Sequence, residues 1–413
     1  MVRSRVERVL LVSVVIGVVA ACGDAAVSAI DGAADAGPDV VDATPDVADA
    51  ADPCADAGVP SSTLECAGLY SDFASKTLAK SARAFSPAIP FWSDGAGKER
   101  WIELPAGTKI DATNPNEWVF PVGTKLFKQF TYGGRRVETR LFQKVTATYW
   151  VHAAYAWNST ETATHLSFGE SVPVDGDGGT WVIPTPSDCD SCHRGRNDRV
   201  LGFEQVNMGL PAATGLTLEE LVAQDLIAPA PARTNLVIGD GTGLDAPALG
   251  WLHVNCGVTC HNGNENAQGF GAKMLLRLDP ATLDGTPPDP ATWDPLRTTI
   301  GVPCISGSVA GQPRIVRGSP SSSVIVQLVS ERGTLQMPPI ATRAVDVADV
   351  AVVSEWIRAL GADGGADAGR GDGGHKDGGF GGDAGDAADA ADASDASDVD
   401  ADGDADTDAE AGP

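Results

Sequence analysis

The sequence lacks the short motifs of several large enzyme classes. It has no G-x-S-x-G nucleophile motif, no phosphate-binding G-x-x-x-x-G-K-[ST] loop and no H-E-x-x-H zinc motif. Positive charge is also scarce, because 29 Lys and Arg face 56 Asp and Glu for a net charge of −27. This balance argues against nucleic acid as a partner, since phosphate recognition uses clustered positive charge. No apolar run in the sequence is long enough to span a membrane as a permanent helix.

The chain begins like an exported protein. Three arginines among the first eight residues precede the apolar run at 9–21, which is too short for a permanent membrane helix. The run ends in small residues before Cys22, an arrangement that resembles the bacterial lipobox, in which the cysteine is lipid-modified and becomes the N-terminus. We therefore predict a lipoprotein signal peptide at 1–22 and a lipid anchor on Cys22, with export to the periplasm, outer membrane or cell surface. An ordinary cleaved signal with an incidental cysteine is the alternative.

Two segments, residues 23–60 and 362–413, are built mainly from Asp, Ala and Gly. The first holds nine Asp and no Lys or Arg, and the second holds 16 acidic residues against two basic ones. Both lack the apolar bulk that offsets chain entropy, so we predict that both are disordered. The first would be a stalk between the lipid and the folded part, and the second an acidic tail.

The part between these segments is long enough for two domains, and its first half has the patterns of β-strands. A strand-like run over 125–132 stops at Gly133–Gly134, a good hairpin turn, and residues 149–157 alternate large and small side chains. Other short strands are separated by Gly-rich turns. We predict a β-rich, sandwich or barrel-like domain over residues 61–185, with a short helix at 70–83.

Helical patterns follow in the second half, which makes the predicted fold class α+β. Residues 216–224 favour a helix, and a final helix begins after Asp346, a good N-cap. Its buried face is predicted to hold Val350, Val353, Trp356, Ile357 and Leu360. We place a linker segment at 186–245 and a small α-helical domain at 246–361.

The eight cysteines of an exported chain are expected in disulfides, in a lipid anchor or on a cofactor. Cys54 and Cys66 are close in sequence, and we predict a disulfide between them. Cys189-Asp-Ser-Cys192-His193 is a Cys-x-x-Cys-His sequence, the attachment pattern of c-type haem. The two thiols suit the two vinyl groups of one haem, and the adjacent His193 suits its iron.

A second site is predicted at Cys256-Gly-Val-Thr-Cys260-His261, where three residues instead of two separate the cysteines. Three interpretations stay open. Both cysteines bind haem, or only Cys260 does while Cys256 forms a disulfide with Cys304, or both cysteines are structural and no haem is present.

The sequence around the second site resembles the cytochrome c domains of exported bacterial proteins. The resemblance covers about residues 246–361 and rests on four motifs in order, namely Asn255 to His261, Gly318 to Val326, Met337-Pro338-Pro339 and Trp356-Ile357. It implies that His261 is the proximal iron ligand and Met337 the distal one. A thioether ligand would raise the reduction potential.

The folded part as a whole also resembles a larger group of exported bacterial proteins with a β-rich domain and Cys-His haem motifs. That resemblance is carried by Phe91–Ala96, Lys98–Trp101, Phe120–Thr124, Glu138–Leu141, the Cys189 to His193 site and Leu201–Phe203. It implies an architecture and no particular activity.

A sixth iron ligand for the first site is not identified by the sequence. Met208 fits a hydrophobic core better than an iron site, and His152 and His165 fall on or near strands where histidines are usually structural. An open sixth position would let the iron bind a small molecule or react with peroxide.

The function predicted from these patterns is electron transfer by a lipid-anchored protein with one or two haem c groups. Its partners would be a redox protein and, through the lipid, a membrane, with no nucleic acid. We expect an electron carrier rather than an enzyme. The alternatives are a peroxidase-like haem enzyme with an open iron site and an envelope binding protein whose haem sites are degenerate.

Overall fold

The computed structural model describes residue 52 and residues 54–174 and 179–362. The predicted signal peptide, the predicted lipid site at Cys22, almost all of the stalk and the tail beyond residue 362 lie outside these residues. The described residues from Asp56 onward belong to one compact unit. In the described part of the chain, no helix has the length and apolar character needed to cross a membrane.

Most strands lie in the first part of the chain, and the α-helices lie in the second part. The strands are β1 (Tyr70–Asp72), β2 (Thr77–Leu78), β3 (Arg83–Ser86), β4 (Gly97–Glu103), β5 (Ile110–Asp111), β6 (Lys125–Tyr132), β7 (Arg135–Lys144), β8 (Trp150–Trp157), β9 (Thr164–Leu166), β10 (Ser171–Pro173), β11 (Thr180–Val182), β12 (Thr214–Gly215) and β13 (Ile227–Ala228). The α-helices are α1 (Pro186–His193), α2 (Gln205–Gly209), α3 (Leu218–Ala223), α4 (Asp245–Leu252), α5 (Asp294–Arg297), α6 (Val324–Val329) and α7 (Val347–Ala362).

One antiparallel sheet of seven strands, in the order β12-β3-β4-β6-β7-β8-β9, forms the first part, and three two-stranded sheets accompany it. This confirms the predicted β-rich part. Within the described residues the large sheet is open at β12 and β9, and its finer assignment to a sandwich or barrel stays a prediction. One face of the sheet packs against the segment around Leu64 and Leu69 through a core that includes Trp101, Phe127 and Tyr155. The opposite face, which carries Lys128 and Phe130, lines a large cavity.

The hairpin of β6 and β7 turns at the predicted Gly-Gly pair. Gly133 and Gly134 both have positive φ, at 58° and 78°, which a two-residue hairpin turn favours and side chains disfavour. The predicted helix at 70–83 is wrong, because this segment contains β1, β2 and the start of β3. Strand pairing between Tyr70 and Leu78 decides its conformation.

The segment 186–245 packs onto the sheet. It supplies the edge strand β12, and it supplies β13, which pairs in parallel with β5. Its side chains Phe203, Met208 and Leu218 belong to the same buried cluster as Phe85 and Trp118. The helix α1, with the first Cys-His sequence, is therefore held against the β-rich part.

The second part is built around helices α4, α6 and α7. The final helix agrees with its prediction, since Val353, Trp356 and Ile357 are completely buried in one core with Trp251. Asp346 precedes this helix and accepts hydrogen bonds from the amide of Asp349 at 3.4 Å and from Trp251 Nε1 at 3.1 Å. The cytochrome c character of this helical part stays a prediction.

Candidate functional site

The first Cys-His sequence forms a capped helix. Thr185 is the N-cap of α1, and its hydroxyl accepts from the amide of Asp188, whose carboxylate accepts in return from the Thr185 amide. Such a capping box fixes the start of a short helix. Cys189 and Cys192 are three residues apart in α1, so they lie on the same side of the helix.

His193 ends this helix, and its ring is held by one hydrogen bond. Its Nδ1 lies 2.6 Å from the carbonyl oxygen of Arg199. A carbonyl oxygen only accepts, so Nδ1 carries the proton and Nε2 keeps its lone pair. Burial lowers the pKa of His193 to about 4, so the imidazole is neutral at neutral pH. A neutral imidazole with Nδ1–H donated to a backbone carbonyl is the usual arrangement of a metal-binding histidine.

A large cavity opens beside these side chains. It has a volume of about 650 Å³ and is lined by Cys189, Cys192 and His193, by one face of the large sheet and by the loop at 336–344. This volume lies within the roughly 300–1,000 Å³ of cofactor pockets. The Phe142 ring lies against His193, with 4.5 Å between ring centroids. Burial raises the pKa of both cysteine thiols to about 11, so both are protonated.

The sheet face in this cavity carries three cations in a row. Arg100 of β4 is paired with Lys128 of β6, and Lys128 is paired with Arg140 of β7. All three side chains line the cavity. We call these residues the cation row. The burial of Lys128 and the nearby charge of Arg100 hold the pKa of the Lys128 ammonium well below its ordinary value.

The second Cys-His sequence contains a π-helical turn. The turn spans His253–Gly257 and follows α4, and the amide of His261 donates to the carbonyl of Cys256 at 2.8 Å, five residues earlier. A π turn holds one residue more than an α turn. The extra residue between Cys256 and Cys260 is therefore taken up by the winding of the chain.

Cys260 and Met337 line one cavity, whereas His261, the proximal ligand that the cytochrome c resemblance implies, is not part of its lining. Its volume is only about 100 Å³. His261 Nδ1 is buried without a hydrogen-bond partner in the described part of the chain, unlike Nδ1 of His193. The cavity is smaller than the roughly 300 Å³ at which cofactor pockets begin, but it shares Cys192, Thr259 and Pro339 with the lining of the larger cavity at the first site.

The remaining cysteines divide into two groups. Cys54 and Cys66 are disulfide-bonded, whereas Cys256 and Cys304 are free thiols. The alternative pairing of Cys256 with Cys304 is therefore not formed. Cys256 packs against the helical core, and the backbone of Cys304 is held elsewhere by paired hydrogen bonds with Gly311 and Gln312.

The two Cys-His sequences lie side by side, which their separation in the chain did not predict. Gly195 packs so closely that an added Cβ would lie 1.9 Å from the carbonyl oxygen of Thr259. Asn262 Nδ2 donates to the Gly195 carbonyl at 3.3 Å, and Asn264 Nδ2 donates to Asn197 at 2.8 Å. Sequence reasoning missed these contacts because they join loops more than 60 residues apart.

The loop at 91–96 joins the β-rich part to the helical part. The Trp92 amide donates to Asn255 Oδ1 at 2.7 Å, and its Nε1 donates to the Ala344 carbonyl at 2.9 Å. Asp94 Oδ1 accepts from the amides of Arg343 and Ala344 at 2.9 and 3.0 Å. This loop therefore supports the chain segment that follows Met337.

The three residues considered for the sixth ligand have different surroundings. Met208 is buried in the core, and His165 is exposed beside Glu170. His152 lines the same cavity as His193. It is the candidate that the structure brings to the first site.

No protein-family model, curated protein or solved structure matches this chain. In the residues that the structure describes, no three His, Cys, Asp or Glu side chains converge to hold a metal ion. A structural zinc site, which needs four such ligands, is therefore not formed there by the Cys-x-x-Cys pair.

Proposed function

We propose that this protein is an exported, lipid-anchored c-type haem protein that transfers electrons in the bacterial cell envelope. Cys189 and Cys192 would hold the haem through thioether bonds, and His193 would ligate its iron. The observation that carries the proposal is the hydrogen bond from His193 Nδ1 to the Arg199 carbonyl, beside a cavity of about 650 Å³ that both thiols line. Bound haem supplies reversible one-electron exchange at its iron.

The chain's own residues would orient the ligand and exclude water. The Arg199 carbonyl fixes the tautomer and the rotation of the His193 ring. Phe142 packs against the ring, and apolar walls limit the access of solvent, which tunes a haem potential. The raised pKa of both thiols argues against their binding a metal ion as thiolates.

A peroxidase-like haem enzyme is the second candidate. It is favoured by His152, which lines the first cavity without being placed as an iron ligand. A histidine beside an open iron position is able to move protons in peroxide chemistry. A high-spin spectrum that changes on addition of peroxide or cyanide would distinguish this candidate from an electron carrier.

The test counts covalent haems. The full chain is produced in a host with a c-type haem maturation system and is examined by pyridine haemochrome spectra and intact mass. We expect one haem on the parent protein, none on Cys189→Ala/Cys192→Ala, and one on the matched control Cys256→Ala/Cys260→Ala. Membrane fractionation of the parent protein and of the Cys22→Ala variant, side by side, tests the proposed lipid anchor on Cys22.

Other haem counts have definite meanings. A second haem, with a sulfur-to-iron band that is lost in Met337→Ala, would show that the Cys260 site is also used. The mass of the bare polypeptide for the parent protein would refute the proposal and favour an envelope binding protein with degenerate sites.

A further inference from the structure

The cation row is an unusual feature for a sheet. Directly paired residues present their side chains on the same face, and like charges placed opposite each other destabilise the pairing. Arg140 is neutralised by two hydrogen bonds to Glu138, at 2.6 and 2.9 Å. No carboxylate of the described residues lies within ion-pair distance of Arg100 or Lys128. Two of the three positive charges are therefore uncompensated by the residues described.

The side chains around Lys128 hold it without neutralising it. Its Nζ lies 4.9 Å from the ring centroid of Phe130 and 5.9 Å from that of Phe91, which are cation–π distances. Arg100 Nη2 is buried and has no hydrogen-bond partner in the described part of the protein. A buried donor without a partner is costly, so a ligand oxygen at this position would be favoured.

The carboxylates that line the same cavity are already engaged. Asp94 accepts from the backbone amides of Arg343 and Ala344. Asp188 belongs to the capping box with Thr185 at the start of α1. Among the described residues, positive charge therefore prevails at the cation row, and a ligand that brings negative charge would be favoured there.

We propose that the cation row is a carboxylate-binding site, and that it takes the two propionate groups of the haem. This inference rests on the proposed function. A guanidinium group matches a carboxylate through two parallel hydrogen bonds, and an ammonium adds a compact charge beside it. The row would thus select a ring that carries carboxylates and orient it over the sheet.

The test separates carboxylate recognition from covalent attachment. The full chain with Cys189→Ala/Cys192→Ala is prepared free of haem and is titrated with haemin and with haemin dimethyl ester, which has the same ring and iron but no free carboxylates. We expect haemin to bind about 10- to 100-fold more tightly than the ester, because hydrogen bonds to charged groups contribute at that level. Adding Lys128→Met or Arg100→Gln should remove most of this preference. The exposed Lys80→Met should leave it unchanged.

Each outcome bears on a defined part of the proposal. Equal affinity for haemin and its ester, or an undiminished preference in both Lys128→Met and Arg100→Gln, would overturn the carboxylate site and leave the haem proposal intact. No binding of haemin at all would also overturn the carboxylate site. The haem proposal falls only if the parent protein carries no covalent haem. Unfolding curves of the variants identify any loss caused by misfolding.

Discussion

The buried ion pair between Lys144 and Asp198 supports the loop that follows His193. The two side chains are 1% and 8% exposed, and Lys144 Nζ donates to both carboxylate oxygens of Asp198, at 2.6 and 2.8 Å. The carboxylate also accepts from Trp150 Nε1 at 3.0 Å and from the Phe120 amide at 2.5 Å. Because Arg199 follows Asp198 directly, this pair anchors the carbonyl that orients His193.

The substitution Lys144→Met would leave the Asp198 carboxylate buried without its cation. Removing one partner of a buried pair costs about 3–5 kcal/mol, since the remaining charge is desolvated and uncompensated. We expect the free energy of unfolding to fall by that amount. The measurement is a urea or guanidinium unfolding curve of the full chain, with an unchanged slope m as the condition for comparing midpoints.

The pair between Lys109 and Asp225 provides the matched control. Its side chains are 42% and 80% exposed, with 2.5 Å between Nζ and Oδ1. An exposed pair contributes about 0–1 kcal/mol, so Lys109→Met should have little effect. Equal losses in Lys144→Met and Lys109→Met would refute the reasoning. The double variant Lys144→Met/Asp198→Leu should recover only part of the loss, because it removes the unpaired charge but leaves the Trp150 and Phe120 donors without their acceptor.

Two further variants test other contacts of the site. Gly195→Ala should destabilise the protein by about 1–3 kcal/mol in thermal or chemical unfolding, because the added methyl group would overlap the Thr259 carbonyl. The control is Gly263→Ala, where the added methyl group would have no atom within 4 Å. It should change stability by less than about 0.5 kcal/mol. Burial raises the pKa of Glu204, but its hydrogen bonds with His253 and with the Asn207 amide leave this pKa below its ordinary value. The stabilisation is therefore present above the unfolded pKa of about 4.3 and is lost as the pH falls through the folded value. Glu204→Gln should therefore lower stability near neutral pH by about 1–3 kcal/mol and weaken its loss in acid, and a parallel pH profile in both proteins would contradict this.

The elements that local sequence patterns specify agree with the structure. The Gly133–Gly134 turn and the alternation at 149–157 predict the hairpin and β8, and the apolar face after Asp346 predicts α7. The segment 70–83 was wrongly predicted because β1 and β2 are very short. Their conformation depends on pairing with each other, and a helical pattern in the residues gives no information on such pairing.

The two Cys-His sequences were predictable as motifs but not as neighbours. Cys189 to His193 was found from its Cys-x-x-Cys-His spacing, and the structure places it in α1, a helix that the sequence did not predict. The contact of Gly195 with Thr259 depends on how the loops after the two motifs pack. Nothing in the spacing of either motif encodes that contact. The small cavity at Met337 likewise depends on the packing of the loop at 336–344 and not on the Met-Pro-Pro sequence.

One extra residue in β7 shifts the strand register and brings Arg140 into the cation row. Near the turn, Tyr132 is opposite Arg135, but a bulge between Phe130 and Thr131 shifts the register by one, so that Lys128 is opposite Arg140. Without the bulge, Lys128 would be opposite Thr139, and Arg140 would point to the other face, because side chains alternate along a strand. A regular hairpin would thus have avoided this like-charge pair. The bulge instead places Arg140, paired with Glu138, beside Lys128 in the cavity. Bulges commonly redirect side chains beside functional sites. The close approach of Lys128 and Arg140 in the cavity costs electrostatic free energy. A bound anion would offset that cost.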